Sequence, residues 1–230
     1  VDLPHFSHIT DEEDYRFQLP VTVHGYELRR HGGGTAFAWG NGVVTSRTSV
    51  RMRLVNVGPT ATVQGTGELG YPVCLVCGQS RSPFASQADL DAFAKDHQER
   101  CGRPVQKVGF FADVVADALC LQGCRDLTEA YSLGEALLRG AAEVLEMELT
   151  DLQLLVTGRA GDSQHDMLLY DPMPGGSGLL EQIVERWGEV VGAALAFVEG
   201  CPAGCATACI DCMLRYRNSF YHAFLDQIGR

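Results

Sequence analysis

Four cysteines fall within twelve residues, Cys201, Cys205, Cys209 and Cys212, in the run CPAGCATACIDC. Thiols this crowded either share a metal ion or oxidise, so the loop that carries them has few conformations open to it. A second group, Cys74, Cys77, His97 and Cys101, has the spacing C-x2-C…H-x3-C. Four soft N/S ligands per group meet the requirement of a closed tetrahedral Zn²⁺ site, and neither group leaves a position for water. Two structural Zn²⁺ ions are therefore expected. Cys74-Leu75-Val76-Cys77-Gly78 reads as a knuckle. Gln87 to Cys101 reads as a helix with Leu90, Phe93, Ala94, His97 and Cys101 on one face. Cys120 and Cys124 read as small apolar residues on or after a strand, and either is an alternative to His97 as fourth ligand. His222 is a lone alternative in the second group and reads as a helix-face residue.

The chain has 230 residues, 46% of them hydrophobic, and 26 glycines, enough to bury a core in one domain or two small ones. Its longest apolar run, Val190 to Val198, is nine residues and contains Gly192, too short for a bilayer. A soluble, cytoplasmic chain with no membrane partner is expected. Nine cysteines without a secretory signal favour metal over disulfides. The start, Val1-Asp2-Leu3-Pro4-His5, has no initiator methionine, which leaves open that the chain is a piece of a longer protein. Net charge is −11, and residues 125–199 hold fourteen acids against four arginines. Such a surface repels phosphate backbones, so non-specific duplex binding by the whole chain is not expected.

Periodicity places α+β or mixed α/β architecture on the chain. Residues 1–70 form a β-rich N-terminal segment, with RFQLPVTVHGYEL and SVRMRLVNVG as strands and His31-Gly32-Gly33-Gly34 as a hairpin tip. Residues 71–104 are the first zinc module. Residues 105–230 are an α/β part with a central mixed sheet, two long helices and the four-cysteine module at its end. There, VGFFADVVADALCL, Leu152 to Val156 and Met167 to Tyr170 read as strands. Leu127 to Met147 and Gly178 to Glu199 read as amphipathic helices, and MLRYRNSFYHAFLDQ as a final helix.

Asp171-Pro172-Met173-Pro174-Gly175-Gly176-Ser177-Gly178 combines two prolines with three glycines before a helix. It reads as a shaped corner, organised by Asp171, Pro174, Gly175, Gly176 and Gly178, whose free N–H groups suit an anion or carboxylate. No GxxxxGK[ST] occurs, so these residues hold no Walker A motor. Asp113, Asp117, Glu135, Asp166 and Asp171 lie on or beside expected strands and helices. Convergence of Asp113, Glu135 and Asp171 on Mg²⁺ would make a nuclease, although no lysine follows Lys107. Arg215 and Arg217 form one of several small basic patches.

Taken together, Tyr170 to Gly178, the cluster through Cys209-Ile210-Asp211-Cys212, and Leu214-Arg215-Tyr216-Arg217-Asn218 with His222, Leu225 and Asp226 behind it resemble the MZB (Mrf-type zinc-binding) domain. This family accompanies superfamily-2 helicases, in MrfA-type repair helicases and in DISARM DrmB-like anti-phage proteins. The Cys74 group and Ser132-Leu133-Gly134-Glu135-Ala136-Leu137 are similar to the DrmB-like form. The resemblance covers roughly residues 70–230. It implies a zinc-stabilised, non-catalytic accessory domain of a DNA repair or phage-defence system, with a helicase motor as partner on the same or a separate chain. DNA would be reached through that complex, with Arg215, Arg217 and Asn218 as contacts to DNA or motor. A protein-only zinc adaptor is the remaining alternative.

Overall fold

The computed structural model describes residues 22–27, 34–40, 42–56, 70–81, 85–158 and 163–226. Residues 31–33 of the expected hairpin tip and residues 16–21 of the expected strand RFQLPVTVHGYEL lie outside them, while Gly34 opens a strand instead of a tip. The described residues fall into two compact units, one within residues 55–112, the other within residues 22–54 and 113–226.

The larger unit is built on a six-stranded sheet. Its strands are β1 (Thr22–Glu27), β2 (Gly34–Trp39), β3 (Gly42–Asn56), β6 (Phe110–Cys124), β7 (Gln153–Gly158) and β8 (His165–Tyr170). They run in the order β1-β3-β6-β8-β7, with β2 paired to β3. The pairings β2–β3, β6–β8 and β7–β8 are antiparallel. Successive side chains point to opposite faces. Leu119, Leu121, Met167 and Leu169 thus enter one core, while Ala118, Cys120 and Leu168 enter a second on the other face. Burial on both faces is why ALCL and MLLY are continuous apolar runs instead of alternating ones. β6 carries a register shift between Gln122 and Cys124, with Gly123 at φ +90°.

Helix α2 (Leu127–Leu145) covers the first core. Asp126 caps its N-terminus by accepting from the Glu129 amide, and Glu146, at φ +52°, ends it two residues before the expected Met147. Leu137, Leu138 and Ala141 point inward as the periodicity requires.

The second long helix is broken. In place of one helix from Gly178 to Glu199 there are α3 (Leu179–Glu185) and α4 (Trp187–Glu199), divided at Arg186. At the break Arg186 donates to the Val144 carbonyl at 2.8 Å, satisfying an orphan acceptor near the end of α2. The bend also seats Trp187 edge-on against Phe37 and Trp39, with centroids 5.3 Å apart in each case. Helices α2 and α4 touch at Gly140, where an added Cβ would lie 2.2 Å from the Val190 carbonyl oxygen. No helix among the described residues is long and apolar enough to cross a membrane.

The expected last helix is instead a 3₁₀ segment, η1 (Tyr216–Phe224), kinked at Tyr221. Asn218 draws the chain off the α path: its Oδ1 accepts from the Arg215 amide and its Nδ2 donates to the Met213 carbonyl, each at 2.8 Å.

In the smaller unit, β4 (Tyr71–Val73) and β5 (Gln106–Val108) form a two-stranded ribbon. Helix α1 (Gln87–Cys101) has the expected limits. Ser86 caps it by accepting from the Asp89 amide, and Gly102 at φ +68° closes it.

Candidate metal centres

The C-terminal thiols converge in the short loop after α4. Cys201 Sγ lies 3.7 Å from Cys205 Sγ and 3.5 Å from Cys209 Sγ, Cys205 Sγ 3.6 Å from Cys212 Sγ, and Cys209 Sγ 3.7 Å from Cys212 Sγ. A tetrahedron of thiolates bound at ~2.3 Å from zinc has edges of about 3.8 Å. The cage therefore has the dimensions of a four-cysteine zinc site with little rearrangement.

Proton affinities are spread across it. Burial pushes the Cys201 thiol up, but the Ala203 amide and neighbouring thiols outweigh it and bring Cys201 down to about 7. Burial and the neighbouring sulfurs push Cys205 up to about 12. Bare sulfur atoms this close do not all ionise, and a dication supplies the charge that lets them do so. Cys212 is fully buried and shares a core cluster with Ala136, Val198, Met213 and Tyr221.

The segment after Cys212 is held from inside. Glu135, with 0% exposure on α2, receives Arg215 in a two-pronged pair, Nε to Oε2 at 3.1 Å and Nη2 to Oε1 at 2.9 Å, and accepts the Tyr221 hydroxyl on Oε1. Tyr131 stacks on Tyr221 at 4.3 Å, and Ser132 Oγ receives the Asp226 amide at 2.9 Å. Two expected surface contacts are thereby corrected. Arg215 turns inward to a buried carboxylate, and Asn218 is buried in the loop that it shapes. Arg217 is partly exposed. His222 joins the same loop, with Nε2 2.7 Å from Asn218 Oδ1 and 2.9 Å from the Arg215 carbonyl.

In the smaller unit, Cys74, Cys77 and Cys101 bring their sulfurs within 4.8 Å of one another. The knuckle forms as expected: Gly78 N donates to Cys74 O at 2.7 Å, and the Cys77 amide, on the Cys74 thiol, is the largest influence holding it below its ordinary range. Burial pushes Cys101 up to about 11. Three thiols of this group fit a zinc site; His97 stands apart from them. Its ring is 2% exposed, with Nδ1 2.9 Å from the Phe93 carbonyl and Nε2 2.9 Å from Gln79 Oε1. An Nδ1–H bonded to a backbone carbonyl is the arrangement that leaves Nε2 as a metal donor. Cys120 and Cys124 are packed in the two sheet cores, where burial pushes them up to about 12 and 11.

The Asp171 corner is closed by its own carboxylate. Met173 N donates to Oδ1 at 2.8 Å, and Ser177 N and Oγ both donate to Oδ2. Gly175, Gly176 and Gly178 have φ of +88°, +79° and +80°. The anion expected at this turn is thus Asp171 itself.

The acids of the nuclease reading have separate partners. Asp113 pairs with Arg53 at 2.7 Å, Glu135 with Arg215, and Asp171 with its turn. Among the described residues, the groups that could hold a metal are the two cysteine clusters. The roles of Glu135 and Tyr221 went unseen in the sequence. One signal was available: a lone Glu flanked by Leu133 and Leu137 on the core side of a helix needs a cationic partner.

The family model described as MZB, the MrfA Zn-binding domain, matches residues 133–213, which include all four C-terminal cysteines. The resemblance read from the sequence is found there. Druantia protein DruE of Escherichia coli (strain UMEA 4076-1) is 26% identical over 245 residues, covering 91% of this chain and 12% of that protein. Two crystal structures of the DUF1998 helicase MrfA are similar to 90% of this chain. The one bound to DNA is 12% identical with TM-score 0.47 over 24% of its length. The one bound to DNA and AMPPNP is 16% identical with TM-score 0.35 over 23%. The chain thus spans a small part of each relative.

Proposed function

We propose that this chain is a zinc-stabilised, non-catalytic accessory part of a helicase-associated DNA repair or anti-phage defence system. The observation that carries this reading is the four-sulfur cage at Cys201, Cys205, Cys209 and Cys212, inside the segment that matches the MrfA Zn-binding domain. The cage ties the end of α4 to η1 and α2. Zinc there holds a surface; it does not activate water. Cys74, Cys77 and Cys101, completed by His97 turned from Gln79, hold the second ion. The ATP-driven work falls to a helicase motor, on the same or another chain. Of the three residues first assigned to DNA or the motor, Arg217, partly exposed, is the one taken as the contact to a phosphate or the motor.

A protein-only adaptor is the second reading, favoured by Ile210, 80% exposed on the cysteine loop, with Tyr216 exposed nearby in sequence. The test is anisotropy of labelled single- and double-stranded DNA at several salt concentrations. Binding that weakens with salt, and whose salt slope falls by about one on Arg217→Ala, supports DNA contact. No binding at moderate salt supports the adaptor. Cleavage that needs a divalent metal and disappears in Asp171→Asn would overturn the non-catalytic reading.

A further inference from the structure

Arg139 lies one turn after Glu135 on α2, facing the same region. Glu135 gives its oxygens to Arg215 and Tyr221. Arg139 instead lays its guanidinium over Phe197, 5.2 Å from the ring centroid. Its Nε is buried without a hydrogen-bond partner among the described residues. Phe197 packs against the apolar cluster that contains the four C-terminal cysteines.

Arg139 itself is half-buried, but an enclosed donor on a cation is costly unless negative charge lies close by. Glu135 and Arg215 cancel one another, so the positive charge of Arg139 is left over. A dication held by four thiolates carries two negative charges in excess. Burial works most against the charge on Arg139; Glu135 favours it, Arg215 opposes it, and the Cys212 sulfur favours it to the smallest degree.

We infer that Arg139 is the charge-balancing residue of the C-terminal metal centre: its guanidinium, held on Phe197, offsets the excess negative charge of the four metal-bound thiolates. This inference rests on zinc occupying that cage. Neutralising Arg139 leaves the cage intact but makes its sulfurs more electron-rich and the ion easier to withdraw.

The test uses the full chain and two probes, Zn²⁺ and Co²⁺. Zinc content is first measured for wild type and for Cys209→Ser, whose loss of one ion identifies the C-terminal site. Absence of zinc from that site in the wild type would overturn both the occupancy reading and the inference. With zinc present, competition against a chromophoric chelator compares Arg139→Met, Arg139→Gln and Arg139→Lys. Loss of affinity by about tenfold in the Met and Gln variants, with Lys near wild type, is expected. In the Co²⁺ form the sulfur-to-metal charge-transfer band moves to longer wavelength in the neutral variants and returns in Lys. A packing role would not track charge in this way. Equal loss in all three variants, or an unmoved band with unchanged affinity, overturns the inference while leaving zinc in place. If both neutral variants fail to fold, the Lys variant decides: wild-type affinity and band support the charge role, and a loss in either overturns it.

Discussion

Glu135 is the residue on which the C-terminal loop depends. It has no exposure, and its partners Arg215 and Tyr221 lie more than 75 positions downstream. Removing one member of a buried ion pair leaves the other uncompensated, at a cost of about 3 kcal/mol. Glu135→Gln is expected to destabilise the protein by that amount in urea unfolding. Tyr221→Phe, which removes the hydroxyl that donates to Glu135, is expected to cost about 1 kcal/mol. Asp171 is a different case. Burial raises its proton affinity, but Ser177 and Met173 donors outweigh this and hold the carboxyl below its usual range. A carboxyl depressed in the folded state stabilises at pH values above its unfolded value, about 3.9, and loses that contribution as pH falls through the folded value. The gap in unfolding midpoint between wild type and Asp171→Asn should therefore narrow below about pH 4, which a pH series of thermal melts measures. At this scale the cysteines were legible, because thiol spacing is local. Arg215 was misread as a surface contact because the carboxylate that claims it is 80 residues away in the chain.

Among the elements, α1, β6, β7 and β8 were legible, since their period is written in adjacent residues; β2, β4, β5 and the first half of β3 were not read as strands. The break at Arg186 was not legible, because its causes, the Val144 carbonyl and the Phe37–Trp39 pair, come from elsewhere in the unit. The 3₁₀ form of η1 likewise follows from Asn218 bonding back to residues 213 and 215. Gly140 tests the crossing of α2 and α4. Alanine there gains about 1 kcal/mol of helix propensity. Its Cβ, however, would meet the Val190 carbonyl oxygen at 2.2 Å and the Ala194 amide at 2.8 Å, backbone atoms that move only with the whole helix. Overpacking costs about 1–3 kcal/mol and exceeds the propensity gain. Gly140→Ala should lower the melting temperature by a few degrees; a rise would mean that the helices separate freely.

For the whole molecule, elemental analysis is expected to find close to two zinc ions per chain, with structure lost on chelation. Lowering pH should release both, because thiols bind protons in competition with metal. The two-zinc organisation was legible from residue spacing, whereas the assembly of strands 22–54 with residues 113–230 was not, since sheet pairing is non-local. The centres also differ in access. Each has one fully buried sulfur, Cys74 and Cys212; Cys77 is exposed at the first, while at the second Cys201, Cys205 and Cys209 are partly exposed and pack with Cys212 in a hydrophobic cluster. A chelator therefore reaches the first ion by direct collision, and its extraction rate should climb with chelator concentration. At the second, the partly exposed sulfurs are reached directly, but releasing Cys212 requires that cluster to open. The second ion's extraction rate should reach a plateau at high chelator concentration, making that ion a clock for the opening of the domain's interior.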